Sequence, residues 1–168
     1  MFSRFSEEAQ KVLIMAKKEM MEMKHPYVGS EHLFLSILSE NERIAHRFQE
    51  LGVTYTSFRE ELIKAVGLGS EENHWFLYTP LLKRVLENAA LTAREMNSNV
   101  VSVSHLFLSL LEEGDGIAIR ILENMDVDID NLYDEFSEQT IEKKGKTKKK
   151  LLIEEFGVDL TKRALKGD

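Results

Sequence analysis

The chain has 168 residues, of which 43% are hydrophobic and none is cysteine, so a buried core is feasible and disulfide or thiolate chemistry is excluded. Residues 1–142 carry 13 basic and 25 acidic side chains, a net charge of −12, and an acidic body of this kind repels nucleic acid. No apolar run approaches the roughly 18 residues that a membrane-spanning helix needs. Arg4, Glu7 and Glu8 interrupt any signal-peptide pattern, so we expect a cytoplasmic protein.

Helical periodicity dominates the first half of the chain. Ser6 is a typical N-cap, and apolar residues then recur every three or four positions until Pro26 disfavours helical geometry. Ser30 is expected to cap a second helix, while Gly52 and Gly67 end the third and fourth. The four helices are predicted from Ser6 to near 24, at 30–38, at 42–51 and at 56–66.

The second half repeats this order. Thr79 followed by Pro80 predicts an N-cap with proline at the first helical position, and Asp115 and Asp128 are candidate caps for the last two helices. The helices are expected at 80–96, 104–112, 116–125 and 129–139. No alternating pattern of useful length indicates a strand, so the fold class is predicted to be all-α.

A tandem duplication underlies this order. Residues 32–38 return as residues 105–111, a spacing of 73 positions, with His32 matched by His105. We therefore predict a four-helix repeat at 1–66, a connector at 67–76 and a second repeat at 77–139. Residues 140–150 are lysine-rich and read as a flexible linker, and residues 151–168 are too few to form a domain.

Motifs for catalysis and metal binding are missing from the sequence. It contains no phosphate-binding loop and no His-Glu-x-x-His pattern, so we expect no enzyme activity and no metal site. His32 and His105 fall in the first turn of an apolar helix, where packing and hydrogen bonding to backbone are the favoured roles. The lysine run lacks interleaved aromatic residues, which favours a linker over a nucleic-acid patch.

Several strings resemble one family. Residues 1–12, the two elements at 29–33 and 104–106, and the Thr79-Pro80 pair resemble the duplicated N-terminal domain of Clp-family unfoldases. Residues 152–167 resemble the segment that precedes the first ATPase module of the ClpC branch. The likeness covers residues 1–139 and 151–168, so the chain looks like the N-terminal portion of a ClpC-type AAA+ unfoldase.

The resemblance implies eight helices in two repeats related by a pseudo-twofold axis. It also implies a non-catalytic domain that receives substrate proteins and MecA-type adaptors, while ATPase rings unfold the substrate into the ClpP protease. No cofactor is implied for these residues, and ATP and Mg²⁺ belong to the absent ATPase modules. The fragment is expected to be a monomer and its parent a hexamer, without nucleic-acid or membrane partners.

Phosphoarginine, a degradation mark on proteins, is a ligand that the resemblance also implies. Its guanidinium would pair with Glu31, and the matching residues around its phosphoryl group are Arg4, Ser6, Val28, Gly29 and Ser30. The alternative for Glu31 is a first-turn glutamate that only favours the helix dipole.

The second repeat departs from this pattern. Ser104 stands at the position of Glu31, Ser102 at that of Gly29 and Leu77 at that of Arg4, while Thr79 keeps a hydroxyl. We therefore predict a weak or absent second phosphoarginine site.

An apolar peptide patch is implied at Phe2, Leu77 and Tyr78, with packing between the repeats as the alternative for Tyr78. Two other readings of the whole chain stay open: an adaptor-docking domain that does not bind phosphoarginine, and the N-terminal domain of a ClpB-type disaggregase.

Overall fold

Eight helices and two short strands make up the part of the chain that the structure describes. In a computed structural model, that part is residues 4–70 and 77–152, with side chains up to residue 140. The chain divides into two compact units, Met1–Tyr133 and Asp134–Asp168. The helices are α1 Glu7–Glu22, α2 Ser30–Glu40, α3 Glu42–Glu50, α4 Tyr55–Val66, α5 Pro80–Glu95, α6 Val103–Glu113, α7 Ile117–Asn124 and α8 Ile129–Leu152; the strands are β1 Arg4–Phe5 and β2 Val100–Val101. The all-α prediction and its two four-helix repeats are confirmed.

Local capping explains where most helices begin. Ser6 Oγ accepts the Ala9 N–H, Thr79 Oγ1 accepts the Leu82 N–H, and an Asp128 carboxylate oxygen accepts the Asn131 N–H, each at 3.1 Å. These three caps were predicted. Two other predicted caps, Ser30 for α2 and Asp115 for α7, were wrong. The N-cap residues of these helices are Gly29 and Gly116, each one position away.

The last helix is longer than predicted. It was expected to end near residue 139, yet α8 continues through the lysine-rich segment to Leu152. Lysine is a good helix former, and the one glycine in this segment, Gly145, costs only about 1 kcal/mol relative to alanine. Sequence polarity alone therefore does not end the helix. Residues 153–168 lie outside the described part, so the expected boundary at 151 stays a prediction.

The two strands join the repeats reciprocally. β1 pairs in parallel with β2, with Phe5 opposite Val101, and an isolated parallel bridge joins Val28 to Tyr78. Because Val28 matches Val101 and Phe5 matches Tyr78 at the 73-residue spacing, the two pairings are equivalent, as a pseudo-twofold axis requires. The sequence did not predict these strands, since two residues are too few to show alternation.

An aromatic cluster forms the centre of the core. The Phe34 ring lies 5.0 Å from that of Phe48 and 4.7 Å from that of Phe58, while Phe48 lies 5.8 Å from Phe107 of the second repeat, all edge to face. All four side chains are fully buried. The repeats therefore share one core, which fixes the position of the helix ends where the two repeats meet.

Candidate functional site

The hairpin of α1 and α2 separates Glu31 from two of its expected partners. Lys11 Nζ lies 3.3 Å from Glu40 Oε1, and Asn41 Nδ2 donates to Glu8 at 3.1 Å, so the start of α1 lies beside the end of α2. The 16 residues of α1 extend about 24 Å. Ser6 therefore lies at the far end of this hairpin from Glu31. The expected grouping of Arg4 and Ser6 with Glu31 is corrected accordingly.

The start of the second repeat takes their place. The Val28 N–H donates to the Leu77 carbonyl at 2.8 Å, and the Thr79 N–H donates to the Val28 carbonyl at 2.9 Å. Thr79, which was assigned to the second site, thus lies beside the segment that leads to Glu31. We call residues 28–31 with residues 77–79 the α2–α5 junction. It brings the N-terminal ends of α2 and α5 together, where both helix dipoles favour an anion.

The carboxylate of Glu31 folds back over Gly29. A Cβ atom placed on Gly29 would lie 2.5 Å from Glu31 Oε1, so the carboxylate occupies the space that a side chain at 29 would need. Burial raises the pKa of Glu31, while its own backbone N–H and the nearby His25 act to lower it. No ion pair joins Glu31 to a lysine or arginine of the described residues. The junction therefore presents a desolvated carboxylate that a cationic ligand would stabilise.

Ser30 contributes packing rather than an accessible hydroxyl. Its side chain is 4% exposed, and a Cβ on Gly116 would lie 3.2 Å from its Oγ. Within the described residues this Oγ has no hydrogen-bond partner. Ser30 was expected near the phosphoryl group of a ligand. Because Ser30 is the first residue of α2, its backbone amide, rather than its hydroxyl, is the group that could donate to a phosphoryl oxygen.

The equivalent place in the other half has the opposite charge. The Ser6 N–H donates to the Val101 carbonyl at 3.0 Å, so the N-terminal ends of α1 and α6 meet there. Ser102 Oγ accepts the His105 N–H, and Arg43 Nη2 donates to Ser104 Oγ at 3.0 Å. Arg4 is exposed at the same edge. We call residues 4–6 with residues 100–104 the α1–α6 junction; it holds Arg4 and hydroxyls, with Arg43 of α3 bonded to it, where the α2–α5 junction holds a carboxylate.

A histidine pair beneath Glu31 was missed by the sequence analysis. His25 Nδ1 lies 2.9 Å from His32 Nε2, His25 Nε2 lies 2.7 Å from the Gly67 carbonyl, and the Gly29 N–H donates to His32 Nδ1 at 2.9 Å. The predicted backbone role of His32 is confirmed, as is that of His105, whose Nδ1 accepts the Ser102 N–H at 3.0 Å. Only the unmatched His25 hinted at the pair, since Ser98 stands at its position in the second repeat.

The expected apolar patch is partly visible. Phe2 lies outside the described residues, Leu77 is 60% exposed, and Tyr78 is partly buried, which raises its pKa. Tyr27 and Leu68 are also exposed, and the Gly69 N–H donates to the Met23 carbonyl, which brings the segment of Leu68 towards the loop that carries Tyr27. Among the described side chains, no three His, Cys, Asp or Glu residues form a metal-binding group.

Comparison with known proteins places this arrangement in a family. The model of the Clp repeat (R) N-terminal domain matches residues 4–104 and again residues 77–166, covering both repeats. The chain belongs to the Clp N-terminal domain family. A ClpA homolog from Cyanidium caldarium, the ATP-binding subunit of an ATP-dependent Clp protease, is 36% identical over 99% of this chain and 21% of its own length.

Both branches considered from the sequence occur among the relatives of this Clp domain. ClpB from Oceanobacillus iheyensis and ClpC/MecB from Bacillus subtilis, named a negative regulator of genetic competence, are each 37% identical over 77% of this chain and 16% of their own length. The chain thus spans about a fifth or less of these relatives.

Solved structures agree in fold. The N-terminal domain of ClpD from Arabidopsis thaliana has a TM-score of 0.70 at 23% identity, covering 82% of this chain and 94% of that one. The Hsp104 N-terminal domain from Candida albicans has a TM-score of 0.69 at 14% identity, covering 82% and 91%. Within the described residues, no helix has both the length and the hydrophobicity to span a membrane.

Proposed function

We propose that this Clp domain receives substrate and adaptor proteins for an ATP-dependent ClpC-type unfoldase, and that its α2–α5 junction binds phosphoarginine. The observation that carries the proposal is the half-buried carboxylate of Glu31, which pairs with no lysine or arginine among the described residues and lies where two helix N-termini meet.

The two halves of the junction suit the two halves of phosphoarginine. A carboxylate pairs with a guanidinium through two parallel charge-assisted hydrogen bonds. A carboxylate that is already partly buried loses less hydration when the ligand binds. The N-terminal ends of α2 and α5 supply the positive potential for the phosphoryl group without a basic side chain. Thr79 and the amides that follow Val28 replace Arg4 and Ser6 in that role.

Calorimetric titration of phosphoarginine into the full chain tests the proposal. We expect one site per chain, and Glu31→Gln should weaken binding at least tenfold, because a neutral amide loses the charge-assisted pair, worth about 1.5–3 kcal/mol. Glu8→Gln, an exposed glutamate at the start of α1, is the matched control and should bind like the wild type. Unchanged affinity in Glu31→Gln would reject the assignment, as would two sites of equal affinity.

A second candidate function is protein docking without recognition of phosphoarginine. It is favoured by the exposed apolar side chains of Tyr27, Leu68 and Leu77, which suit an apolar polypeptide segment. A ClpB-type disaggregase would use such a surface equally well. If phosphoarginine fails to bind while an unfolded substrate crosslinks to a photoreactive residue at position 77, this second function replaces the first.

The remaining assignments concern the whole protein. We infer that ATP and Mg²⁺ act in ATPase modules beyond this domain, that those modules form the hexamer, and that ClpP and MecA-type adaptors are partners. A cytoplasmic location belongs to the same inference, and a ClpC1 relative from Arabidopsis thaliana is named chloroplastic.

A further inference from the structure

We propose that His25 and His32 form an acid-sensitive latch at the start of α2: their neutral rings join the Gly29 amide to the Gly67 carbonyl at the end of α4, and the bond to Gly29 is lost when the pair takes up one proton. The latch acts on the segment that carries Glu31. It does not depend on which ligand, if any, binds there.

The hydrogen bonds of the pair leave one arrangement of protons. The Gly29 N–H can only donate, so His32 Nδ1 is the acceptor and His32 carries its proton on Nε2. That proton points to His25 Nδ1, which must accept it, so His25 carries its own proton on Nε2 and donates to the Gly67 carbonyl. Two neutral rings thus connect the first residues of α2 to the end of α4.

One added proton breaks this chain of bonds. A proton on His25 Nδ1 would face the His32 Nε2–H, so His32 must move its proton to Nδ1, where it meets the Gly29 N–H. A proton placed directly on His32 Nδ1 meets the same N–H. Either route removes the hydrogen bond between the Gly29 N–H and His32 Nδ1, while the Gly29 carbonyl keeps its bonds to the backbone N–H groups of His32 and Leu33.

The surroundings favour the neutral state of His32. Its side chain is fully buried, and burial, followed by the charge of His25, lowers the pKa of His32 to about 3. The pKa of His32 in the folded protein lies below its ordinary value of 6.5, so the stability that neutral His32 contributes is present above pH 6.5 and is lost as the pH falls towards 3.

The neighbours of the pair that the structure describes include one charged side chain and two backbone carbonyls. On α2, Glu31 is the charged side chain that acts on His25. On the side of α1, the backbone N–H of His25 donates to the Met20 carbonyl. At the end of α4, the His25 ring nitrogen Nε2 contacts the Gly67 carbonyl, and neither carbonyl titrates. Lys24, the preceding residue, has a left-handed backbone with φ of 57°. Glu31, the carboxylate of the proposed site, lies within electrostatic reach of His25.

The second repeat supplies a reference inside the same molecule. His105 Nδ1 accepts the Ser102 N–H, as His32 accepts that of Gly29, and it also lies 3.0 Å from Ser102 Oγ. Ser98 stands where the first repeat has His25, so the second repeat lacks the paired imidazole at that position.

Backbone amide exchange on the full chain, without ligand, tests the latch between pH 7.5 and 5.0. After correction for the intrinsic pH dependence of exchange, protection of the Gly29 amide should fall by up to about tenfold for each pH unit below 6.5. The Ser102 amide should change less. Nitrogen-detected spectra of the imidazoles at pH 7.5 should show both His25 and His32 protonated on Nε2.

The variant His25→Asn separates a latch from plain packing. Asparagine can still accept from His32 Nε2 but takes up no proton, so only His32 is left to respond and the pH dependence of Gly29 protection should be weaker than in the wild type. A merely structural histidine would lower protection equally at every pH. Protection of Gly29 that is independent of pH in the wild type, or an Nδ1-protonated His32 at pH 7.5, would overturn the proposal even if His25→Asn failed to fold.

Discussion

Gly29 is required for space rather than for backbone freedom. Its φ of −115° and ψ of −179° are extended values that any residue adopts. What distinguishes the position is the carboxylate of Glu31, which lies where a Cβ atom would stand. The second repeat has serine at both matching positions, 102 and 104, so the small residue and the carboxylate are absent together. Gly29 and Glu31 therefore act as one unit.

Gly29→Ala should alter binding without altering stability. The added Cβ meets only the end of a flexible side chain, so Glu31 can rotate away, and the free energy of unfolding should stay within about 0.5 kcal/mol of the wild type. The displaced carboxylate should lower phosphoarginine affinity at least tenfold. Ser102→Ala should do the reverse, because it removes an N-cap worth about 1 kcal/mol but leaves Glu31 in place. Calorimetry and urea unfolding measure both; equal affinities would contradict the pairing of Gly29 with Glu31.

The packing of α1 on α4 buries a second carboxyl group. Tyr55 on α4 donates its hydroxyl to Glu19 Oε2 at 2.5 Å, and Glu19 is 4% exposed with Oε1 unpartnered within the described residues. Burial raises the pKa of Glu19 above 4.5, against the lowering by Tyr55. The pKa of Glu19 in the folded protein exceeds its pKa in the unfolded chain. Stability is therefore lost as the pH rises from 4.5 through the folded pKa and Glu19 ionises.

Two variants separate the hydrogen bond from the charge. Tyr55→Phe should cost about 1–3 kcal/mol at pH 7, because it leaves a buried carboxylate oxygen without its donor. Glu19→Gln should be at least as stable as the wild type at pH 7 and should lose that advantage at pH 4, where Glu19 is protonated. In the Glu19→Gln background, Tyr55→Phe should cost less, since the bond then joins neutral groups. A cost that is the same in both backgrounds would show that Glu19 is not ionised at pH 7.

Helices and caps were predictable because their signals are local. The caps at Ser6, Thr79 and Asp128 and the apolar periodicity operate within three or four residues, and the structure has them where the sequence placed them. The predicted end of α8 was wrong, because a run of lysines is polar and still favours a helix.

The site could be predicted only in part because its assembly is not local. Val28 and Thr79 are joined by pairing between repeats, and nothing in either segment shows which repeat supplies its partner. Aligning the repeats finds equivalent residues but assigns each to its own copy, so Arg4 and Thr79 were exchanged between sites. His25 and His32 meet across a loop that follows no helical spacing, which is why their contact was missed.

The reciprocal pairing of the repeats makes each junction a composite of both. Every helix N-terminus at one junction has an equivalent at the other, so the pseudo-twofold axis preserves the anion-binding half of the site. The carboxylate half is not preserved: the α1–α6 junction has Ser104, with its Oγ bonded to Arg43, where the α2–α5 junction has Glu31. Gly116 stands at the position of Arg43 in the second repeat, so this arginine contact has no equivalent beside Glu31.

A second phosphoarginine site should therefore need three changes and not one. In Ser104→Glu the new carboxylate meets the Cβ of Ser102 and pairs with Arg43, so titration should still give one site per chain. Adding Ser102→Gly and Arg43→Ala removes the obstructing atom and the competing cation, at a cost of a few tenths of a kcal/mol for the lost cap. The triple variant should bind two ligands per chain. Its matched control carries glutamine at 104 and should bind one. Calorimetric stoichiometry decides the matter: a second site in Ser104→Glu alone, or none in the triple variant, would mean that the two junctions differ by more than these three side chains.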